Sequence, residues 1–259
     1  MDLPHRLDRT VTIEAAREIV FAYFTDSSRW ASWWGAGSHI EARPGGKVLI
    51  RHANGIEVVG EVLEVVSPER IVFTYGYASG RPVAPGGSRV IIRLEDDSAG
   101  TRLHLTHEFA DADTRDQHVQ GWRFQLSLFG NLVANELHSD AGRVVDAWFE
   151  VWGESDEHKR LQALNRIAVP GVHFRDQYSL LDGIGDVSAH IAASLRFMPA
   201  MRLKREGEIR HCQGTVLADW TAVGADGQSR GGGTNVFLLG ADRRITAVTG
   251  LWRPQTATA

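Results

Sequence analysis

The sequence predicts an α+β protein of two successive units, and three observations carry that prediction. Short strand-like segments between about Ser38 and Phe109 end in one long helix with an apolar stripe. After a polar break the order reverses, with helical patterns first and strand-like runs last. The 259 residues suffice for two domains of ordinary size.

The segment 5–14 alternates polar and apolar residues, with Leu7, Val11 and Ile13 at strand spacing. Ala16, Ile19, Val20, Tyr23 and Phe24 then recur at helical spacing. The tryptophan-rich segment from Arg29 to Gly35 leaves that helix. Six strand-like runs follow: HIEA, KVLIRH, EVVGEVLEVV, RIVFTYGY, SRVIIRL and TRLHLTHEF. Turn chemistry separates them, and Asn54-Gly55 is the clearest hairpin signal. Thr114 and Gln117 read as a capping box, opening a helix to about His138. Val119, Trp122, Leu126, Phe129 and Val133 fall on one stripe of it. Such a helix would be roughly 37 Å long. Six or so strands closed by one long apolar-faced helix make a curved sheet gripping that helix.

Ser139-Asp140-Ala141-Gly142 breaks the pattern. Val145, Trp148, Phe149 and Trp152 mark the next helix, and Leu161, Leu164 and Ala168 a second, which Pro170-Gly171 should end. A strand-like VHFRD and a Gly-rich turn precede a third helix, marked by Val187, Ile191 and Leu195. EIRHCQGTVLADWTAV, GTNVFLLG and RITAVTGLW read as three long strands of an antiparallel sheet.

Composition excludes several functions. The net charge is −4 and no basic stretch is dense enough for nucleic acid. Cys212 stands alone, so neither an internal disulfide nor a thiolate metal site is expected. The histidines lack HxH or HExxH spacing, so no metal is expected. Gly231-Gly232-Gly233 is not followed by Lys-Ser/Thr or a helix, so it is no phosphate loop. No Gly-x-Ser-x-Gly elbow is present. No cofactor is implied. The charged N-terminal segment lacks a signal peptide's apolar core, and no apolar run approaches bilayer length. A soluble cytoplasmic protein without membrane association is the expectation.

The motifs IEAAREIVFAYFTDSSRWASWWG, RPGGKVLI, GEVLEVVSPERIVFTY and GTRLHLTHEF, then Gly121-Trp122, occur in that order. Through them residues 1–138 resemble the START-like (SRPBCC) helix-grip superfamily, in the branch of homologues of the activator of the Hsp90 ATPase. VVDAWFEVWGESDEHKRLQAL, VHFRDQYSLLDGIGDVSAHI and DRRITAVTGLW make residues 143–259 similar to the SnoaL-like branch of the nuclear transport factor 2-like superfamily. The resemblances imply a helix-grip domain followed by a cone-shaped α+β barrel, each around a pocket for a lipid-like, aromatic, polyketide-like or steroid-like molecule. The second superfamily includes polyketide cyclases, ketosteroid isomerases and members that only bind, and its frequent dimers imply a homodimer by analogy. Fold alone assigns no reaction.

Asp176 ends the VHFRD strand, where the resemblance places the isomerases' proton-shuttling aspartate. A carboxylate in an apolar pocket has a raised pKa and can take a proton from a carbon beside a carbonyl. That chemistry also needs donors for the oxyanion. The isomerases' tyrosine is replaced here by Trp148 and their second acid by Asn235, so the constellation is incomplete. The competing reading of Asp176 is a turn residue capping backbone amides. His211 and Trp220, read as lying on one long strand, are candidate walls of the second pocket. In the first unit, Leu103, Leu105 and His107 share a strand face, which makes His107 a candidate polar anchor. Trp122, Leu126 and Phe129 should form the helical wall, with Trp34, His52 and Tyr75 as further candidates. Plain core is the competing reading for all of these. Three functions compete: binding of a small hydrophobic molecule, which leads; a cyclase or isomerase using Asp176 as general base; and a co-chaperone-like interaction role, which ranks last.

Overall fold

The computed structural model describes residues 2–253. The chain divides into two compact units, one ending at Ala134 and the next beginning at Asn135.

The first unit opens with β1 (His5–Ile13), α1 (Arg17–Thr25) and α2 (Ser27–Trp34). The helix α2 takes up the tryptophan-rich segment that leaves α1. Asp26 supplies the reason, because its carboxylate accepts from the backbone N–H groups of Ser28 and Arg29, both at 2.9 Å, and nucleates a second turn. The strands β2 (His39–Ile40), β3 (Lys47–Arg51), β4 (Glu57–Val66), β5 (Arg70–Tyr77), β6 (Ser88–Asp97) and β7 (Gly100–Phe109) coincide closely with the six runs. They form one antiparallel sheet in the order β1-β7-β6-β5-β4-β3-β2. At Asn54-Gly55 the backbone turns with Gly55 at φ +82°, and Asn54 Oδ1 accepts from the Ile56 N–H.

Helix α3 (Ala112–Leu137) buries Trp122, Leu126, Phe129 and Val133. Its N-terminus is not the Thr114–Gln117 box. Asp111, three residues upstream of Thr114, accepts the Thr114 N–H at 2.8 Å, and Thr114 itself is buried in the first turn. Phe129 is fully buried among Tyr23, Phe24 and Trp33, with ring centroids 4.9–5.6 Å apart. The Gln125 amide donates to the Trp33 carbonyl, so α3 is pinned to α2 by a buried polar contact as well as by rings.

The second unit contains α4 (Ala141–Val151), α5 (Glu157–Ile167), β8 (Ala168–Arg175), β9 (Leu180–Asp182) and α6 (Gly183–Phe197). It ends with β10 (Arg202–Cys212), β11 (Thr215–Val223), β12 (Ser229–Leu239) and β13 (Ile245–Trp252). Arg160 of α5 is almost fully buried, yet its guanidinium reaches Ser188 Oγ and the carbonyls of Glu154 and Ser155. It thereby ties the charged turn to α6.

Four expectations change here. Pro170-Gly171 lies inside β8 and does not simply end a helix; α5 stops at Ile167, and Ala168 is already strand. The run 208–223 is two strands, because Gln213 (φ +46°) and Gly214 (φ +79°) make a tight turn between them. The sheet is mixed: β13 pairs with β8 in parallel, and the other pairings are antiparallel. Its order, β10-β11-β12-β13-β8-β9, is an open series among the described residues rather than a closed barrel. The α+β class of both units holds.

Candidate functional site

The second unit holds a cavity of about 210 Å³, and strand register explains how its floor is built. Ala218, Asn235 and Gly250 lie directly opposite one another on β11, β12 and β13. Two residues along, Trp220, Gly233 and Trp252 form the next row. Side chains two apart share a face, so both rows point the same way. The row glycines leave the room. A Cβ on Gly233 would come to 2.3 Å from the Leu251 carbonyl oxygen and 3.0 Å from the Trp220 ring, so bare backbone makes room for that indole. A Cβ on Gly250 would sit 3.1 Å from the Asp176 Cβ and 3.4 Å from Asn235 Oδ1. The last glycine of the tract rejected as a phosphate loop thus lies against the Trp220 ring that lines the cavity.

On β8 the inward positions are Val172 and Phe174, and Asp176 takes the next inward step just beyond the strand. Asp176 Oδ1 accepts from the Tyr178 N–H at 2.8 Å and Oδ2 from Trp252 Nε1–H at 3.1 Å. Its own N–H donates to the Ser179 carbonyl at 2.9 Å. The side chain therefore caps a local turn and also borders the cavity. Asn235 is buried, and its oxygen accepts from Trp220 Nε1–H at 2.9 Å. That bond assigns the amide orientation and leaves the NH₂ end for whatever occupies the cavity. The helical wall comes from Trp152 at the end of α4 and from His190 and Ser194, one turn apart on α6. His190 Nε2 lies 3.2 Å from Ser179 Oγ, and its ring meets Trp152 edge-on at 5.8 Å.

Two other candidates fall elsewhere. Trp148 is fully buried between Phe174 and Phe237, with its Nε1–H unpartnered, and does not border the cavity. His211 does not share a strand with Trp220; it lies on β10, across from Val216. Its Nδ1–H donates to Asn135 Oδ1 at 2.8 Å and its Nε2 accepts from the Gly214 N–H at 3.2 Å, which makes it a neutral turn clamp. His138 packs 5.5 Å from it, buried with neither ring nitrogen partnered. Burial first, then the neighbouring His211, pushes the His138 pKa down to about 4.

In the first unit the proposed wall residues meet one another. Trp122 Nε1–H donates to His107 Nδ1 at 2.9 Å, which places the ring proton on Nε2, 2.8 Å from Ser88 Oγ. Ser88 in turn donates to the Tyr75 carbonyl at 2.8 Å. Both nitrogens of His107 are thus committed to protein partners. Burial, with His118 beside it, holds His107 well below the ordinary imidazole range, and burial raises the Tyr75 phenol. Trp34 packs edge-on against His52 and Trp122, each at 5.7 Å. Leu126 and Phe129 are buried beneath α3.

Among the described residues no cluster of three or more metal-ligating side chains occurs, and no helix is long and apolar enough to cross a membrane.

Comparison with known proteins gives one match in the first unit. Residues 14–134 match the family model described as Activator of Hsp90 ATPase homolog 1-like protein. No curated protein matches the chain. Among solved structures, a putative SnoaL-like isomerase from Agrobacterium tumefaciens is 21% identical, covering 46% of this chain and 99% of that one, with a TM-score of 0.42. An AHSA1 protein from Silicibacter pomeroyi is 26% identical, covering 51% and 99%, with a TM-score of 0.43. The Aha1 protein of Colwellia psychrerythraea, described as a dimer in solution, is 17% identical, covering 47% and 90%, with a TM-score of 0.42.

Of the residues lining this cavity, sequence reasoning singled out Asp176, Trp220 and Asn235 and passed over Trp152, Phe174, Tyr178, His190, Gly250 and Trp252. A signal existed for most of them. Phe174 and Asp176 share parity on VHFRD, and Gly250 and Trp252 share parity on TGLW. What the chain could not display was the parallel pairing of β13 with β8, which brings those two segments together.

Proposed function

We propose that the protein binds a small, largely apolar molecule in the cavity of the second unit. The observation that carries this is a pocket walled mainly by rings and thioethers, with only a few convergent polar groups, among them Asp176, the Asn235 amide and His190. The ring surfaces hold an apolar body, and the polar groups set its orientation. The test is native mass spectrometry of the purified full chain beside a Gly250→Val variant, whose added side chain would fill the space between Asp176 and Asn235. A small-molecule adduct present on the wild-type chain and lost from the variant is expected. Bare mass in both, or equal adduct in both, would contradict the reading.

A second reading is favoured by one observation, the placing of a carboxylate and an amide donor along the same cavity wall. Asp176 would take a proton from a carbon beside a carbonyl while the Asn235 NH₂ steadies the oxyanion. Solvent deuterium would then enter 2-tetralone in the presence of the wild-type chain, and Asp176→Asn would abolish the exchange. Unchanged exchange in the variant would discard catalysis.

A further inference from the structure

The cavity wall is unusual in its charge and its rings. Five aromatic side chains border it: Trp152, Phe174, Tyr178, Trp220 and Trp252. They are set edge to face or tilted, with Trp220–Trp252 at 5.1 Å and 87°, Tyr178–Trp252 at 5.4 Å and 79°, and Trp152–Phe174 at 5.5 Å and 52°. The rings therefore stand at several inclinations around the cavity. Asp176 is the one carboxylate among the lining residues, and no lysine or arginine joins it. The adjacent Arg175 turns to the opposite face and donates to Thr249 Oγ1 at 3.1 Å. The sulfur-bearing Met198 and Met201 add polarizable surface at the helical side.

Ring faces carry negative electrostatic potential and attract cations held within about 6 Å. A carboxylate beside an aromatic wall attracts a positive charge. The Tyr178 and Trp252 N–H groups that bond to Asp176 are neutral donors and bring no countercharge. An anionic ligand would be repelled by both the rings and Asp176. A purely neutral one would gain nothing from the charge of Asp176.

We propose that the cavity selects an organic cation, a tertiary or quaternary ammonium carrying an apolar body, held by the aromatic wall and Asp176; this rests on the reading of the cavity as a binding site. Choline and its neutral carbon isostere 3,3-dimethylbutan-1-ol separate charge from shape. Titration calorimetry of the full chain should give choline the tighter binding by about tenfold or more. Asp176→Asn should remove most of that preference and leave the alcohol within about twofold of wild type. Should that variant fail to fold, Tyr178→Leu decides, since the Tyr178 ring is mostly exposed and its loss spares the core. It should weaken choline more than the alcohol. Equal affinities, or a tighter alcohol, would overturn the cation inference and leave the cavity's binding role standing. Binding of neither compound would overturn both.

Discussion

Asp176 makes the two readings of a strand-end aspartate compatible. Its oxygens cap the following turn, and its position places the same group against the cavity. His138 poses the opposite case, a polar ring buried with nothing to bond. Its folded pKa of about 4 lies below the ordinary 6.5, so between those values the unfolded chain binds the proton first. The contribution of neutral His138 to stability is complete above about pH 6.5 and falls as the pH drops towards 4. Between pH 7 and pH 5 that loss amounts to about 2 kcal/mol. Replacing His138 with Phe should remove a loss of that size, read as the difference between urea-unfolding free energies at the two pH values. An unchanged difference would mean the ring is solvated.

At the scale of elements, the caps and turns that were misread share one cause. Local polar residues compete for the same amide groups, and the chain alone does not say which one wins. Asp111 caps α3 in place of the Thr114–Gln117 pair, and Asp26 starts a second helix in a segment read only as leaving the first. Asp111→Ala should therefore lower stability by about 1 kcal/mol, and Gln117→Ala should change it little, both measured by thermal unfolding. The strands β3 to β7 were legible because alternation and Gly-rich turns are local signals. The split of 208–223 into β10 and β11 was not, because its turn uses Gln213 in the left-handed region, where glycine or asparagine is the usual signal. The cavity floor depends on bare backbone at Gly250, so Gly250→Val should cost binding far more than it costs folding. Its φ is not in the positive range, and the new Cβ meets only side-chain atoms at 3.1–3.4 Å within the closest contacts.

For the molecule as a whole, each unit carries its own core. Phe129 centres the aromatic cluster under α3, and a separate cluster including Trp148, Phe149 and Phe237 fills the second unit. Phe129→Ala should destabilise the first unit by about 3–5 kcal/mol and leave ligand binding by the second unchanged. The α+β class and order of both units were readable from periodicity, but most of the cavity wall was not. Its residues come from segments far apart in sequence, two of which the parallel β13–β8 pairing brings together. The tryptophans offer the most direct test of the central claim. The indole N–H groups of Trp220 and Trp252 bond to Asn235 and Asp176 at the cavity, whereas those of Trp30 and Trp33 bond to backbone carbonyls in the first unit. Titrating the ¹⁵N-labelled full chain with benzyl alcohol should shift the Trp220 and Trp252 indole signals saturably and leave those of Trp30 and Trp33 in place. Silence at Trp220 and Trp252, or a response confined to Trp30 and Trp33, would contradict a binding cavity in the second unit.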